Sequence, residues 1–137
     1  MSDAKAFIDT NLFVYLYSSS DSEKQQAVIQ AMNRYDRFVS TQVLNEFCNV
    51  LTRKLKLPIP AVRAAVAEIC AVCNLAVVDD ATVDAALGIH EKYGFSYYDS
   101  LIVSSALESE CEYLLSEDLS DRQVIEGSLI VKNIFSE

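Results

Sequence analysis

Ala6-Phe7-Ile8-Asp9-Thr10-Asn11 reads as a short apolar strand that stops on a carboxylate and passes at once to Thr and Asn. Alternation along a strand puts Ala6 and Ile8 on one face and Phe7 and Asp9 on the other. Asp9 therefore shares a face with Phe7 at the edge of a core, where an unpaired charge is costly. Two further acids, Glu46 and Asp99, fall on the apolar faces of predicted helices, and Asp118 follows a second apolar strand. Four carboxylates set against the core by four separate segments predict one shared site.

Strands and helices alternate outward from that stretch. Residues 11–17 (NLFVYLY) predict a short helix, and Ser20-Asp21-Ser22-Glu23 has the Ser-x-x-Glu spacing of a capping box that starts another, running to about Tyr35. Phe38-Val39-Ser40 is long enough for a second strand. Residues 41–55 follow as a helix with Val43, Glu46, Phe47, Val50 and Leu51 on one face, so Glu46 is the polar member of an apolar stripe. Leu57-Pro58-Ile59-Pro60 interrupts, and a helix resumes over 61–74. The apolar run 75–78 predicts a buried parallel strand, and 81–93 a helix that stops at Gly94. The single histidine, His90, lies near that helix end with no partner in a triad pattern and reads as structural.

Ser96 and Asp99 have capping-box spacing at the start of the next helix. Asp99 also shares a face with Ile102, Val103, Ala106 and Leu107, so a first-turn carboxylate favoured by the helix dipole points inward as well. Residues 112–116 and 128–135 complete the pattern as strands. This alternation, without internal repeats, predicts one α/β domain over 1–137 with a mainly parallel sheet. In such sheets ligand sites form beyond the carboxyl ends of the strands, where Asp9 and Asp118 are both placed.

Composition excludes several classes. With 51% hydrophobic residues, three Gly and two Pro, the chain is globular rather than a tail or linker. No apolar run approaches the roughly 20 residues needed to span a bilayer, and the N-terminus lacks a basic region followed by a long apolar core. The expected compartment is the cytoplasm. Cys48, Cys70, Cys73 and Cys111 all lie in apolar stretches expected to be buried, and the Cys70–Cys73 pair has no second such pair or nearby His to make a zinc site. A formal charge of −9 argues against nonspecific nucleic-acid binding by bulk electrostatics, although four of those charges are the site acids. The cluster Arg53-Lys54-Leu55-Lys56 reads as a solvated helix end.

Four converging acids repel one another. At an effective dielectric near 20, two unit charges 4 Å apart cost about 4 kcal/mol. Such a cluster holds protons or binds a cation. Oxygen ligands without Cys or His select hard ions, Mg²⁺ or Mn²⁺, over zinc. An ion of that kind acidifies water and clamps a phosphoryl oxygen, which are the requirements of phosphodiester hydrolysis.

The stretches FIDTNLFVYLY, STQVLNEFCNVL and FSYYDSLIVSSALESECEYLLSEDL resemble, in order and spacing, the PIN-domain ribonucleases, in particular the VapC-type toxins of bacterial toxin–antitoxin pairs. The resemblance implies a three-layer sandwich, with about five mostly parallel strands between helices, and cleavage of RNA with Mg²⁺ or Mn²⁺. Carried over motif by motif, it implies that Asp9 and Asp99 are direct metal ligands and that Glu46 completes the site or orients a metal-bound water. Asp118 would be the fourth acid, with Ser116 in place of the family's usual Ser or Thr and Asn11 as a supporting neighbour. Asp121 competes with Asp118 for the fourth position, and Glu117, a turn residue expected to be solvated, is a further candidate. The family further implies a homodimer and an antitoxin that inserts a segment, often basic, near the acidic cleft.

Rival classes fit less well. A haloacid-dehalogenase-like phosphatase needs a second Asp two residues after the first, and Asn11 stands there. A receiver domain carries its phosphoacceptor Asp on a later strand. The remaining alternative is a catalytically silent PIN fold that binds RNA or protein, a role with no use for four core-facing carboxylates.

Overall fold

The computed structural model describes residues 3–18 and 21–136. Strand β1 (Lys5–Ile8) carries Ala6, Phe7 and Ile8, all fully buried. A strand apolar on both faces belongs in the middle of a sheet covered on both sides. Accordingly β1 lies between β2 (Asp36–Ser40) and β4 (Tyr113–Leu115), parallel to both. Outward from these, β2 pairs in parallel with β3 (Asn74–Ala76) and β4 with β6 (Leu129–Lys132). A two-residue strand, β5 (Val124–Ile125), closes the sheet antiparallel to β6, giving the order β3-β2-β1-β4-β6-β5.

Six helices flank the sheet: α1 (Thr10–Tyr17), α2 (Ser22–Met32), α3 (Thr41–Arg53), α4 (Ile59–Val72), α5 (Asp80–Tyr93) and α6 (Tyr97–Glu108). Helix α1 packs on α2 and α3, α3 on α4, and α5 on α6, while α6 reaches β2 and β4. Val43, Phe47 and Leu51 form the buried stripe of α3, and Phe47 meets Phe13 of α1 edge to face at 6.2 Å. Gly94 ends α5 in the left-handed region at φ +75°, where a side chain is disfavoured.

Among the described residues the sheet has the expected five parallel strands and a sixth, antiparallel one at its edge. Val124–Ile125 is too short and too isolated to register as an apolar run, and its pairing with β6 defines it as a strand. The expected buried strand over 75–78 is instead the edge strand Asn74–Ala76, with Leu75 45% exposed and Val77 beyond it 68% exposed. Lying at the end of the sheet, it has a pairing neighbour on one side only. Helix α2 is capped by Asp21, whose side chain accepts from Lys24 N, and it ends at Met32 rather than near Tyr35. Ser20 of the expected capping box lies outside the described residues. Helix α4 starts at Ile59, before Pro60 rather than after it, because proline in a first helical turn forfeits no intrahelical bond. The last strand stops at Lys132, and Ile134–Ser136 form a 3₁₀ turn. Of the cysteines, Cys111 is buried, Cys48 and Cys73 are half-buried, and Cys70 is exposed, contrary to expectation, because it lies on the outer face of α4. His90 sits at the end of α5 with Nδ1 against the Phe95 carbonyl oxygen. Among the described residues no helix is long and apolar enough to cross a membrane.

Candidate active site

Asp9 follows β1 directly. Its backbone N–H donates to Leu115 O (3.1 Å), which extends the β1–β4 ladder by one residue and fixes the carboxylate at the carboxyl ends of both strands. It also caps α1: Oδ1 accepts from the backbone N–H of Thr10 at 2.7 Å. Oδ2 accepts from the Ser116 hydroxyl at 2.8 Å, just past the end of β4. The residue is 5% exposed. Ser116 Oγ in turn accepts from the backbone N–H of Asp118 (3.2 Å), and Asn11 Nδ2 donates to Asp118 Oδ2 (3.3 Å). A single hydroxyl thus links the first site acid to the backbone that carries the fourth.

Glu46 is half-buried on α3, and Oε2 accepts from the Thr10 hydroxyl at 2.7 Å. Asp99 enters from the first turn of α6. Ser96 Oγ caps that turn by accepting from the Asp99 backbone N–H at 3.1 Å. Among the described residues no donor reaches the Asp99 carboxylate, so the half of the expected capping box that forms leaves this acid free to face the other three. Asp9, Glu46, Asp99 and Asp118 line one cleft of about 270 Å³, together with Thr10, Asn11 and Asn49.

Two neighbours are elsewhere. Asp121 accepts from the backbone N–H of Asn133 at 2.8 Å and lies outside this cleft, so Asp118 and not Asp121 stands with the other acids. Glu117 is held by the Tyr15 hydroxyl and by Lys24 Nζ (3.4 Å), with its side chain 21% exposed, so it is neither in the cleft nor a solvated turn residue. Three polar residues were not singled out by sequence: Thr10 and Gln42, which hydrogen-bond Glu46, and Asn49, which lines the cleft. Thr10 was visible only as the middle of Asp-Thr-Asn. Gln42 and Asn49, which stand four residues before and three after Glu46, could have been found from helical spacing.

Burial dominates the electrostatics. Desolvation pushes the Asp9 carboxyl up from 3.8 to about 7, against hydrogen bonds from Ser116 and Thr10 that favour the ionised form, and the charges of Asp118 and Asp99 raise it further. Glu46 is raised by burial first, opposed by Thr10 and Gln42, with Asp99 and Asp118 adding to the rise. Asp118 is raised by burial, then by the charges of Asp99 and Glu117.

The donor set suits a hard divalent cation: carboxylate oxygens supplemented by amide and hydroxyl groups, with no sulfur or imidazole among the cleft residues. Among the described residues no three acid, Cys or His side chains are close enough together to grip one ion. A cation here would take few direct protein ligands and keep much of its water, the usual habit of Mg²⁺.

A model of the PIN domain matches residues 6–124 of the chain. The chain belongs to the PIN domain family. No curated protein matches it in sequence. Solved structures share the fold at low identity. VapC20 of Mycobacterium tuberculosis, a Sarcin-Ricin loop cleaving toxin, superposes with a TM-score of 0.69 at 17% identity, over 82% of this chain and 91% of that one. A toxin–antitoxin complex from Klebsiella pneumoniae gives 0.69 at 18% identity, over 94% and 97%. VapBC2 from Rickettsia felis, bound to a DNA fragment from its promoter, gives 0.68 at 16%, over 94% and 98%.

Within this PIN domain, Thr10 offers a contained test of how the cleft is held. Thr10→Val keeps the shape of a buried side chain and deletes the donor to Glu46. Partners of site carboxylates are typically worth 10- to 100-fold in metal affinity. Calorimetric titration with Mn²⁺ should show a weakening of about 10-fold or more. Unchanged affinity would mean that Glu46 needs no orientation from Thr10.

Proposed function

We propose that this PIN domain is a Mg²⁺- or Mn²⁺-dependent endoribonuclease and the toxin of a toxin–antitoxin pair in the cytoplasm. The observation that carries the proposal is the convergence of Asp9, Glu46, Asp99 and Asp118 on one cleft, with Asp9 so desolvated that its carboxyl is raised to about 7. A fold gains nothing from such a charge without a counter-ion.

In this reading Asp9 and Asp99 hold the cation directly, and Glu46 and Asp118 complete its surroundings. The cation supplies the positive charge that offsets a phosphate oxygen and acidifies water. Glu46, steadied by Thr10, or Asp118, steadied by Asn11, orients the attacking water and takes its proton. In-line attack then joins the water oxygen to phosphorus and breaks the bond from phosphorus to the 3′ oxygen, which takes a proton from solvent, leaving a 3′-hydroxyl and a 5′-phosphate. Ser116 keeps Asp9 and the Asp118 backbone in register during the attack.

The expected partners are RNA, a second copy of the chain, and an antitoxin whose basic segment is attracted to the cleft. That the Klebsiella pneumoniae neighbour is a toxin–antitoxin complex supports the last of these. The deciding experiment is cleavage of a mixed RNA pool by purified protein with Mn²⁺, with and without chelator, beside Asp99→Asn. Chelator-sensitive cleavage that the variant lacks is the expected result. Cleavage by Asp99→Asn at the parent rate would remove Asp99 from the site.

A further inference from the structure

The chain has 11 Lys and Arg residues, and they fall into two groups. Seven of them have partners. Lys24, Lys92 and Arg122 are in ion pairs, Arg37 and Lys5 donate to backbone carbonyls, Lys132 donates to the Tyr35 hydroxyl, and Arg34 also has a partner. The other four, Arg53, Lys54, Lys56 and Arg63, are exposed and have no hydrogen-bond or ion-pair partner among the described residues. They fall in residues 47–67, a stretch without a single Asp or Glu in a chain of net charge −9.

The helix dipole accounts for only part of this. Arg53 and Lys54 end α3, where a cation is favoured. Lys56 lies beyond the helix at φ +52°, a left-handed position at which glycine is usual and lysine is strained. Arg63 is in the N-terminal half of α4, where the dipole gives a cation no help.

Helical spacing connects the group to the cleft. Gln42, Glu46, Asn49 and Arg53 are four, three and four residues apart and share one face of α3. Glu46 and Asn49 line the cleft, so Arg53 is the next residue along its wall, about 10 Å beyond Glu46 at 1.5 Å per residue.

We propose that Arg53, Lys54 and Lys56, with Arg63 extending them, bind the phosphate backbone of the RNA strand whose scissile bond lies among the carboxylates. The proposal rests on the ribonuclease reading. It also explains how so acidic a protein holds a polyanion: a short unpaired cationic tract offsets the repulsion locally, and contacts to phosphate position the strand without reading its sequence.

The test uses Asp99→Asn protein, which leaves RNA intact, and a short single-stranded RNA oligomer in Mg²⁺, followed by fluorescence anisotropy across a KCl series. Adding Arg53→Ala and Lys56→Ala should weaken binding about tenfold or more, and flatten the slope of log affinity against log salt by about 0.7 for each phosphate no longer neutralised. Arg122→Ala, already paired with Asp121, should change neither. Exchanging Arg53→Lys and Lys56→Arg should keep most of the affinity, which separates the loss of charge from a damaged fold. Unchanged affinity and slope in the double alanine variant would overturn the tract, as would no RNA binding by the starting protein. In an otherwise intact chain the double alanine variant should raise KM and leave kcat nearly constant. Chelator-sensitive cleavage with an unchanged KM would discard the tract and keep the nuclease. Absence of such cleavage in the parent would instead count against the nuclease reading itself.

Discussion

Asp9→Asn protein is expected to lose Mn²⁺-dependent RNA cleavage by about 10³-fold or more, and yet to unfold at a higher temperature than the parent when both are metal-free at pH 8. The first half follows from position. Asp9 stands at the carboxyl end of the central strand and is proposed as a direct cation ligand, and a bound cation is worth several kcal/mol to phosphoryl transfer, each 1.36 kcal/mol being tenfold in rate. The second half follows from burial. The parent keeps an ionised carboxylate in a 5% exposed position, and a rise from 3.8 to about 7 corresponds to up to about 4 kcal/mol against folding at pH 8. Asparagine has the same shape, still accepts from the Thr10 N–H, and carries no charge. Part of the gain is returned because its amide must donate where Ser116 now donates. Activity assays beside calorimetry read both halves. A variant that cleaves normally, or one that melts below the parent at pH 8, would contradict this account of Asp9.

The stability of the metal-free parent should fall as pH rises from about 4 to about 7 and then level off, by about 4 kcal/mol from Asp9 alone. The direction is fixed by which state holds the proton. Below the ordinary 3.8 both folded and unfolded chains are protonated at Asp9. Between that value and about 7 the unfolded chain has released its proton while the folded chain retains it, so rising pH favours unfolding. Glu46 and Asp118 are raised as well and steepen the fall. Mn²⁺ competes with these protons, so it should raise the melting temperature strongly at pH 8 and little at pH 5. Equal Mn²⁺ shifts at both pH values, or the same pH slope in Asp9→Asn, would show that Asp9 does not carry the linkage.

The α/β architecture and the central strands were legible because Ala6-Phe7-Ile8 and Leu114-Leu115 are continuous apolar runs that only a covered strand can use. Edges were less legible. Leu75 and Val77 have the composition of a core strand, but burial depends on which elements lie beside them, and β3 is at the end of the sheet. Two-residue β5 carries no periodicity of its own and exists through its hairpin with β6. In the cleft, the inward direction of Glu46 and Asp99 followed from helical spacing. The choice between Asp118 and Asp121 did not, because both lie in one loop, and the backbone N–H of Asn133 occupies Asp121. Thr10 was equally hidden, since its hydroxyl has a role only after α1 packs on α3 and brings Glu46 within 2.7 Å.

The sheet order also fixes when the site can exist during synthesis. Asp9 is made well before Ser116, which donates to it from 107 positions later, and β4 supplies one of the two neighbours of β1. A nascent chain that ends before β4 already carries Asp9, Glu46 and Asp99 but has neither Ser116 nor Asp118, and its central strand is open along one side. Pairings this distant in sequence close late. The cleft is therefore completed only once the chain through Asp118 has been made and β4 has paired with β1, so a growing chain carries three of its four acids before it can hold a finished site.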